Sequence, residues 1–413
     1  MTRSAWILAT LLCLPLITLA DHPESPPTLN WETCTQLVLK KNPDILAEKA
    51  KVDAARSQIS IAEAGYWPQV NLTGSIKKSN NDSLSSSLGI SLTQTLFPDA
   101  ISQPDSQEAK ANLEAEIANQ KIILATLRSQ LLQNISAIQY NEKNIALTHK
   151  IVERRIQNAD LVNARFKAGR ENLGAYLRAK AQAEQGKLDE VQAKRELETS
   201  QDDLAATLGI TPNITMNANA PTLSLPEKME LEAWIKTSPQ IENLKALIKA
   251  AQWRIVASEN QLWPSLSASI GSTYEFANGG TSTTTTGLTG TLPLFTFGRL
   301  ENSVYYAKLT VEILKWNLES LQRQTLILLK KSYFTAQNSI ESDRVQNEFV
   351  KAAELRSEIA QAQYTTGLIS YDNWDIIEND LISQQKTGLT RKRDIQTNIA
   401  TFEKYLGKGL GHE

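Results

Sequence analysis

The sequence predicts a mainly α-helical chain with a membrane β-barrel segment, built as two tandem repeats of helix, strand, strand, long helix, helix. Three observations predict this. Short motifs recur at a nearly constant offset, the longest segments carry a seven-residue apolar period, and two pairs of alternating apolar and polar stretches interrupt them. Asn42-Pro43 matches Ser238-Pro239, and Trp67-Pro68 matches Trp263-Pro264, at an offset of 196. Leu96-Phe97 then matches Leu294-Phe295, Phe166-x-x-Gly169 matches Tyr364-x-x-Gly367, and Leu208-Gly209 matches Leu406-Gly407, at 198. Such self-similarity marks a duplicated unit. The two extra residues fall between Pro264 and Phe295, where a hairpin loop absorbs insertions.

Taken in order, the chain opens with Arg3, an apolar run from Ala5 to Ala20 and a small-residue site at Thr18-Leu19-Ala20. Residues 1–20 therefore read as a secretory signal peptide. The run is short and broken by Pro15, which disfavours a transmembrane anchor. Losing Arg3 takes the full chain's net charge of -2 to -3, so no nucleic-acid footprint is expected. Cys13 leaves with the leader. Thr10-Leu11-Leu12 before it is no lipoprotein box, and Cys34 is left without a disulfide partner.

Residues 21–41 form an N-terminal equatorial segment. The first repeat spans 42–209. Asn42 caps and Pro43 opens a helix that runs to about Gly65. Strands follow at about 68–78 and 85–96, turning at Asn80-Asn81-Asp82-Ser83. A long helix runs from Pro104 to about Phe166 and breaks at Gly169, in a tip at about 167–173. A second helix, from about Glu171 to Leu208, stops at Gly209. A linker, 210–238, carries a short helix near Glu227–Thr237. The second repeat, 239–408, has a helix over 239–261, strands near 264–277 and 286–295, a helix over 299–366, a tip at about 365–372 and a helix over 370–406. Residues 409–413 are a tail.

Ile117, Leu124, Leu131, Ile138, Ile145 and Val152 are each seven apart, and Leu300, Val304, Ala307, Val311, Leu314, Leu318 and Leu321 alternate steps of four and three. Such a seam implies left-handed supercoiling. A helix over 105–166 is about 90 Å long at ~1.5 Å per residue, and the two shorter helices of a repeat total about the same. Each repeat can therefore set one long helix beside two short ones stacked end to end. The flanking segments are then expected to form a belt at mid-height.

In the strands Val70, Leu72 and Ile76 alternate with Gln69, Asn71, Thr73 and Ser75, and Leu88, Ile90 and Leu92 with Gly89, Ser91 and Thr93. Leu266, Ala268 and Ile270 alternate with Ser265, Ser267 and Ser269, and Leu288, Leu292 and Leu294 with Thr289, Thr291 and Phe295. Tyr66, Trp67, Trp263, Tyr274 and Phe276 lie near strand ends, as interfacial aromatics do. Alternation alone cannot decide, and by itself favours a soluble sheet with one packed and one wet face; the long helices shift the balance. If the strands do enter a membrane, four are too few to close a barrel, and open edges cannot face lipid. Three copies would supply twelve strands and twelve helical columns.

With these features in view, the sequence resembles the outer-membrane efflux proteins of the TolC type over about residues 30–408. The resemblance rests on the duplicated order, on "YWPQV", "LWPSL" and "LFTFGR", and on the turns "ARFKAGRENLGAYLRAKAQ" and "AQYTTGLISYDNWDIIEND". It implies a homotrimer in which a 12-stranded barrel in outer-membrane lipid continues into a periplasmic α-helical barrel. The duct is passive and is served by a periplasmic adaptor (membrane fusion protein) and an inner-membrane pump. It also implies adaptor docking at Gly169, Arg170, Glu171, Asn172 and Leu173, and at Gly367, Leu368, Ile369, Ser370 and Tyr371. Asp372 and Asp375 are candidates for an acidic gate at the tip. Phe97-Pro98-Asp99-Ala100 departs from the family pattern, which the second repeat keeps with Gly298, so the first long helix is expected to start differently.

The alternative reading is a periplasmic coiled-coil adaptor or structural protein, which a tandem pair of helical hairpins disfavours. No enzyme is predicted: the chain has no phosphate-cradling loop, and no paired carboxylates that can be placed on one surface. His22, His149 and His412 are far apart, so no catalytic residue, metal site or cofactor is expected. No stripe of Met or His points to a metal cargo.

Overall fold

The computed structural model describes residues 30–78, 84–211, 221, 223–226, 230–236, 238–276 and 280–411. The leader, the turn at Asn80–Ser83 and about half of the 210–238 linker lie outside these residues. In the first repeat the chain forms α1 (Trp31–Lys41), α2 (Pro43–Ala64), β1 (Gln69–Lys78), β2 (Leu84–Phe97), a short α3 (Asp99–Ser102), α4 (Pro104–Lys167) and α5 (Leu173–Leu208). A one-and-a-half-turn α6 (Leu231–Lys236) precedes the second repeat: α7 (Pro239–Asn260), β3 (Ser265–Glu275), β4 (Thr281–Thr291), α8 (Arg299–Thr366) and α9 (Tyr371–Leu406).

Local chemistry sets these boundaries. Asn42 ends α1 and caps α2, its side-chain oxygen accepting from the N–H groups of Asp44 and Ile45 at 2.9 and 3.2 Å. Pro43 follows at the first helical position, where its missing N–H costs nothing. Gly209, Gly367 and Gly407 end α5, α8 and α9 with φ of +70°, +83° and +78°, a region that side chains with a Cβ avoid. The first long helix does start differently. Pro98 leads into α3, Gln103 takes φ +45°, and Pro104 opens α4, whereas Gly298 leads straight into α8.

The 64 residues of α4 and 68 of α8 each span about 100 Å. On one side α4 packs against α2 and α5, on the other against α7 and α9, and α8 packs against α7 and α9. The order is therefore four columns: α2 with α5, α4, α7 with α9, and α8. The stacking joints are tight. Asn42 Nδ2 donates to the Thr207 carbonyl at 2.9 Å, tying the start of α2 to the end of α5. A Cβ on Gly209 would collide with the Lys41 carbonyl, and one on Gly407 would lie 2.5 Å from Pro239 Cδ. Both glycines also need left-handed backbone. Gly209→Ala and Gly407→Ala are each expected to cost at least ~1–2 kcal/mol from backbone conformation alone. Melting of the detergent-solubilised protein would show this as a clear drop for either variant, with no comparable drop for Gly74→Ala, where a Cβ meets nothing within 4 Å.

At mid-height Cys34 and Val38 of α1 pack on Leu131, Ile135, Leu204 and Leu208 of α4 and α5. Trp234 of α6 meets Phe402 of α9 edge-on at 5.3 Å. These contacts place α1 against α4 and α5, and α6 against α8 and α9. The heptad seam of α4 is buried at Leu131, Ile138 and Val152, while Ile117 is exposed.

The strands form one antiparallel sheet in the order β1-β2-β3-β4. The register aligns Leu72 with Ile90 and Ile90 with Ser272, and aligns Ala268 with Leu288. One face thus carries Val70, Leu72, Ile76, Leu88, Ile90, Leu92 and Ile270, all exposed or partly exposed. The other carries Thr73, Ser75, Ser87, Ser91, Thr93, Ser267 and Ser269. The outer edges of β1 and β4 have no partner strand among the described residues. The last strand differs from its predicted span of 286–295. It begins at Thr281 and stops at Thr291, because Pro293 has no N–H to give to a ladder. Leu292, Leu294 and Phe295 are therefore exposed outside it. None of the described helices is long and apolar enough to cross a membrane.

Candidate docking tip and the polar layer behind it

Both helical tips use one local design. After α4, Gly169 at φ +70° lets the Arg170 N–H reach back to the Arg165 carbonyl at 2.9 Å. After α8, Gly367 lets the Leu368 N–H reach the Gln363 carbonyl at 2.8 Å. These backbone bonds satisfy carbonyls that a helix end leaves open. Three residues past each glycine comes an N-cap. Asn172 accepts from the Ala175 N–H at 2.8 Å, and Ser370 accepts from the Asn373 N–H at 3.4 Å. The four-residue segments Gly169–Asn172 and Gly367–Ser370 thus reverse the chain.

The candidate docking residues separate into two sets. Gly169, Arg170, Asn172, Leu173, Gly367, Leu368 and Ser370 are exposed, with Leu368 76% accessible. Glu171 and Ile369 are half-buried, and Tyr371 is buried. Glu171 accepts from the Tyr364 hydroxyl at 3.0 Å. Tyr364 stacks on Trp374, ring centroids 4.4 Å apart, and Tyr371 meets Trp374 edge-on. Arg165 lies over the Tyr364 ring and donates to the Tyr364 carbonyl at 2.7 Å, so an α4 side chain caps the end of α8. Burial, with help from Asp375, pushes the Tyr371 hydroxyl up to about 12, and burial beside Glu171 also raises Tyr364. Both are protonated donors at any physiological pH.

The two gate candidates also part company. Asp372 is exposed. Asp375 is buried inside the subunit, where Arg178 of α5 lies 2.9 Å from Oδ2 and Arg155 of α4 lies 3.5 Å from Oδ1. Gln182 donates to Oδ1 at 2.7 Å.

One turn behind lies a cluster that joins three helices. Glu378 of α9 is buried and accepts two bonds from Arg154 of α4, Nε to Oε2 at 2.6 Å and Nη2 to Oε1 at 2.9 Å. Ser357 of α8 donates to Oε1, and Asn158 to Oε2 at 3.3 Å. Burial pushes the Glu378 carboxyl up, but the Arg154 and Ser357 bonds outweigh it and hold the group below its ordinary range. Arg155 adds bonds to Gln182 and Asn379. Sequence reasoning missed this layer, which joins residues about 200 positions apart. One signal was readable: Asp375 and Glu378 sit three apart among Trp374, Ile376, Ile377 and Leu381, a stretch too apolar for solvated acids. His149 is exposed beside Glu153 and Glu190 at 3.5 Å, an ordinary surface arrangement.

Comparison with known proteins now fits this geometry. The profile of the family described as Outer membrane efflux protein matches residues 34–210 and 231–408, one match to each repeat. Nodulation protein T of Rhizobium leguminosarum bv. trifolii is 22% identical over 372 residues, covering 84% of this chain and 78% of that protein. The structure of CusC superposes with a TM-score of 0.80 at 19% identity, covering 97% of this chain and 100% of that one. The outer membrane protein VceC of Vibrio cholerae gives 0.79 at 18%, covering 92% and 96%. With both repeats matched and the whole fold shared, the chain belongs to the outer membrane efflux protein family: it is a TolC-like efflux channel protein of the outer membrane with a helical tunnel in the periplasm, not an enzyme.

Proposed function

We propose that three copies of this chain close into a 12-stranded barrel continuous with a helical tube. In this reading the tube passively conducts small molecules or secreted substrates handed over by an inner-membrane pump through a periplasmic adaptor. The carrying observation is the incomplete sheet: among the described residues it has four strands, one apolar face and two edges with no partner strand. Unpaired amides at lipid depth cost several kcal/mol each, so only closure with neighbours is stable there. The helices support the same arithmetic. The outermost column, α8, exposes Tyr305, Tyr306, Ile313, Trp316, Ile327 and Phe349, an apolar face suited to the α2 and α5 column of a second copy. Native mass of the detergent-purified protein, with single-channel recording in a planar bilayer, tests the reading. A trimer with long-lived open steps is expected. A monodisperse monomer that stays folded without detergent would overturn it.

The tips are the proposed docking surface for the adaptor. One presents Arg170 and Asn172, the other Leu368, on backbones fixed by glycine turns and caps. Arg170→Glu with Leu368→Glu is expected to lower export in cells at least about tenfold, as loss of an interface anchor does. Bilayer conductance of the purified variant should stay at the wild-type value. In this reading Asp372 is the acid available to narrow the tip, and Asp375 joins it only if its contacts to Arg178 and Arg155 open.

A further inference from the structure

The internal duplication supplies a template for the face that one copy turns to the next. Near the tip, the first repeat meets the second where α4 packs on α9. In the second repeat α8 has the place of α4, and in the first α5 has the place of α9. On the trimeric reading above, a second copy therefore sets its α5 on this α8 as α9 sits on α4. The helix bounds fix the correspondence. Leu173–Leu208 and Tyr371–Leu406 are both 36 residues long, at an offset of 198. Gly169 and Gly367, which follow α4 and α8, share that offset.

Carried across by that offset, the ionic layer disappears. Arg154 and Arg155 of α4 correspond to Ala352 and Ala353 of α8. Asp375 and Glu378 of α9 correspond to Leu177 and Lys180 of α5, and Arg178 of α5 to Ile376 of α9. Within a copy Arg155 meets Asp375 at 3.5 Å and Arg154 meets Glu378 at 2.6 Å. Between copies the same places set Ala353 opposite Leu177 and Ala352 opposite Lys180. Leu177 and Ile376 are exposed in the single copy, as side chains awaiting a neighbour would be. The two seams differ in what parting them breaks. Separating α4 from α9 breaks a two-bonded arginine–carboxylate pair together with the bonds around Asp375. Separating the places of Ala353 and Leu177 breaks no charged bond and returns apolar surface to water, a cost that grows only with area.

We propose that the periplasmic tip widens by parting at the apolar seams between copies. The two hairpins of one copy, held by the layer around Asp375 and Glu378, move as a single body. Paired cysteines and a reducible bifunctional thiol reagent test this on the full chain, in detergent and then in a planar bilayer. Leu177→Cys with Ala352→Cys puts one thiol on each side of the seam. Within one copy α4 and α9 stand between them, so a linked trimer on denaturing gels requires neighbouring copies. Neither single variant should link, since Cys34 is buried. Asp189→Cys with Lys386→Cys instead tethers the two repeats of one copy, where the side chains meet at 2.9 Å. The first tether should lower single-channel conductance and reductant should restore it; the second should leave the wild-type value. Ala352→Glu, set opposite Lys180 of the next copy, should lower conductance in dilute salt, and adding Lys180→Ala should restore it. A trimer by native mass that does not link through Leu177→Cys and Ala352→Cys would overturn the seam and leave the trimeric reading intact. A monomer would overturn both. Unchanged conductance under the first tether, or a loss under the second, would overturn the opening at the seams.

Discussion

Ile90→Arg is expected to abolish assembly of the channel while Ser91→Arg, one residue on, leaves it intact. Ile90 sits in the middle of β2, paired with Leu72 on one side and Ser272 on the other. Its neighbours on that face, Val70, Leu72, Leu88 and Leu92, make it the apolar face of the sheet. Arginine on the lipid face of a barrel costs roughly 2–4 kcal/mol near the bilayer midplane, and every subunit would carry one. Ser91 belongs to the hydroxyl-bearing face, aligned with Asn71 and Gly271, where a charge meets water instead of lipid. The measurement is the fraction of each variant recovered from the outer membrane as an oligomer resistant to mild denaturant. Equal recovery of the two would mean that the faces are assigned backwards or that the sheet does not enter lipid.

Arg154→Ala carries the second large effect, at the opposite end of the molecule. It leaves the Glu378 carboxylate buried with only Ser357 and Asn158 as partners. Breaking a fully buried pair costs ~3–5 kcal/mol; Arg154 is one-third exposed, so about 2–3 kcal/mol is expected at neutral pH. The pH dependence has a definite sign. The Glu378 carboxyl is held below its ordinary value, so its contribution is complete above the unfolded value of about 4.3 and is lost as pH falls through the lowered folded value. Wild-type melting temperature should therefore fall more steeply with acid than that of Glu378→Gln, and the gap between wild type and Arg154→Ala should narrow below about pH 4. A gap that stays constant across that range would show that the pair is not what joins α4 to α9.

The two effects differ in how visible they were in the chain. The strand faces follow from period-two alternation, a local property, so Ile90 and Ser91 are told apart without coordinates. The helix ends follow from Asn42-Pro43, Gly169, Gly209, Gly367 and Gly407, because caps and left-handed positions are decided within a few residues. The error at β4 arose where alternation continued through Leu292 and Leu294 although Pro293 had already removed the ladder donor. The tips were placed by their glycines, yet Tyr371 proved buried, because Trp374 and Tyr364 close over it from two different helices.

Asp375 shows the boundary most sharply. Its sequence neighbours suggest an acid beside a turn, free to face a pore. Arg178 and Arg155 enclose it from α5 and α4, about two hundred residues earlier. By itself the sequence determined the duplication, the element order, the strand faces and the reversals at the tips, since each depends on interactions between residues close along the chain. Only the tertiary structure decided which acids are neutralised and how α4 is joined to α8 and α9. Those outcomes depend on which side chains converge when helices distant in sequence pack, and no local pattern encodes that convergence.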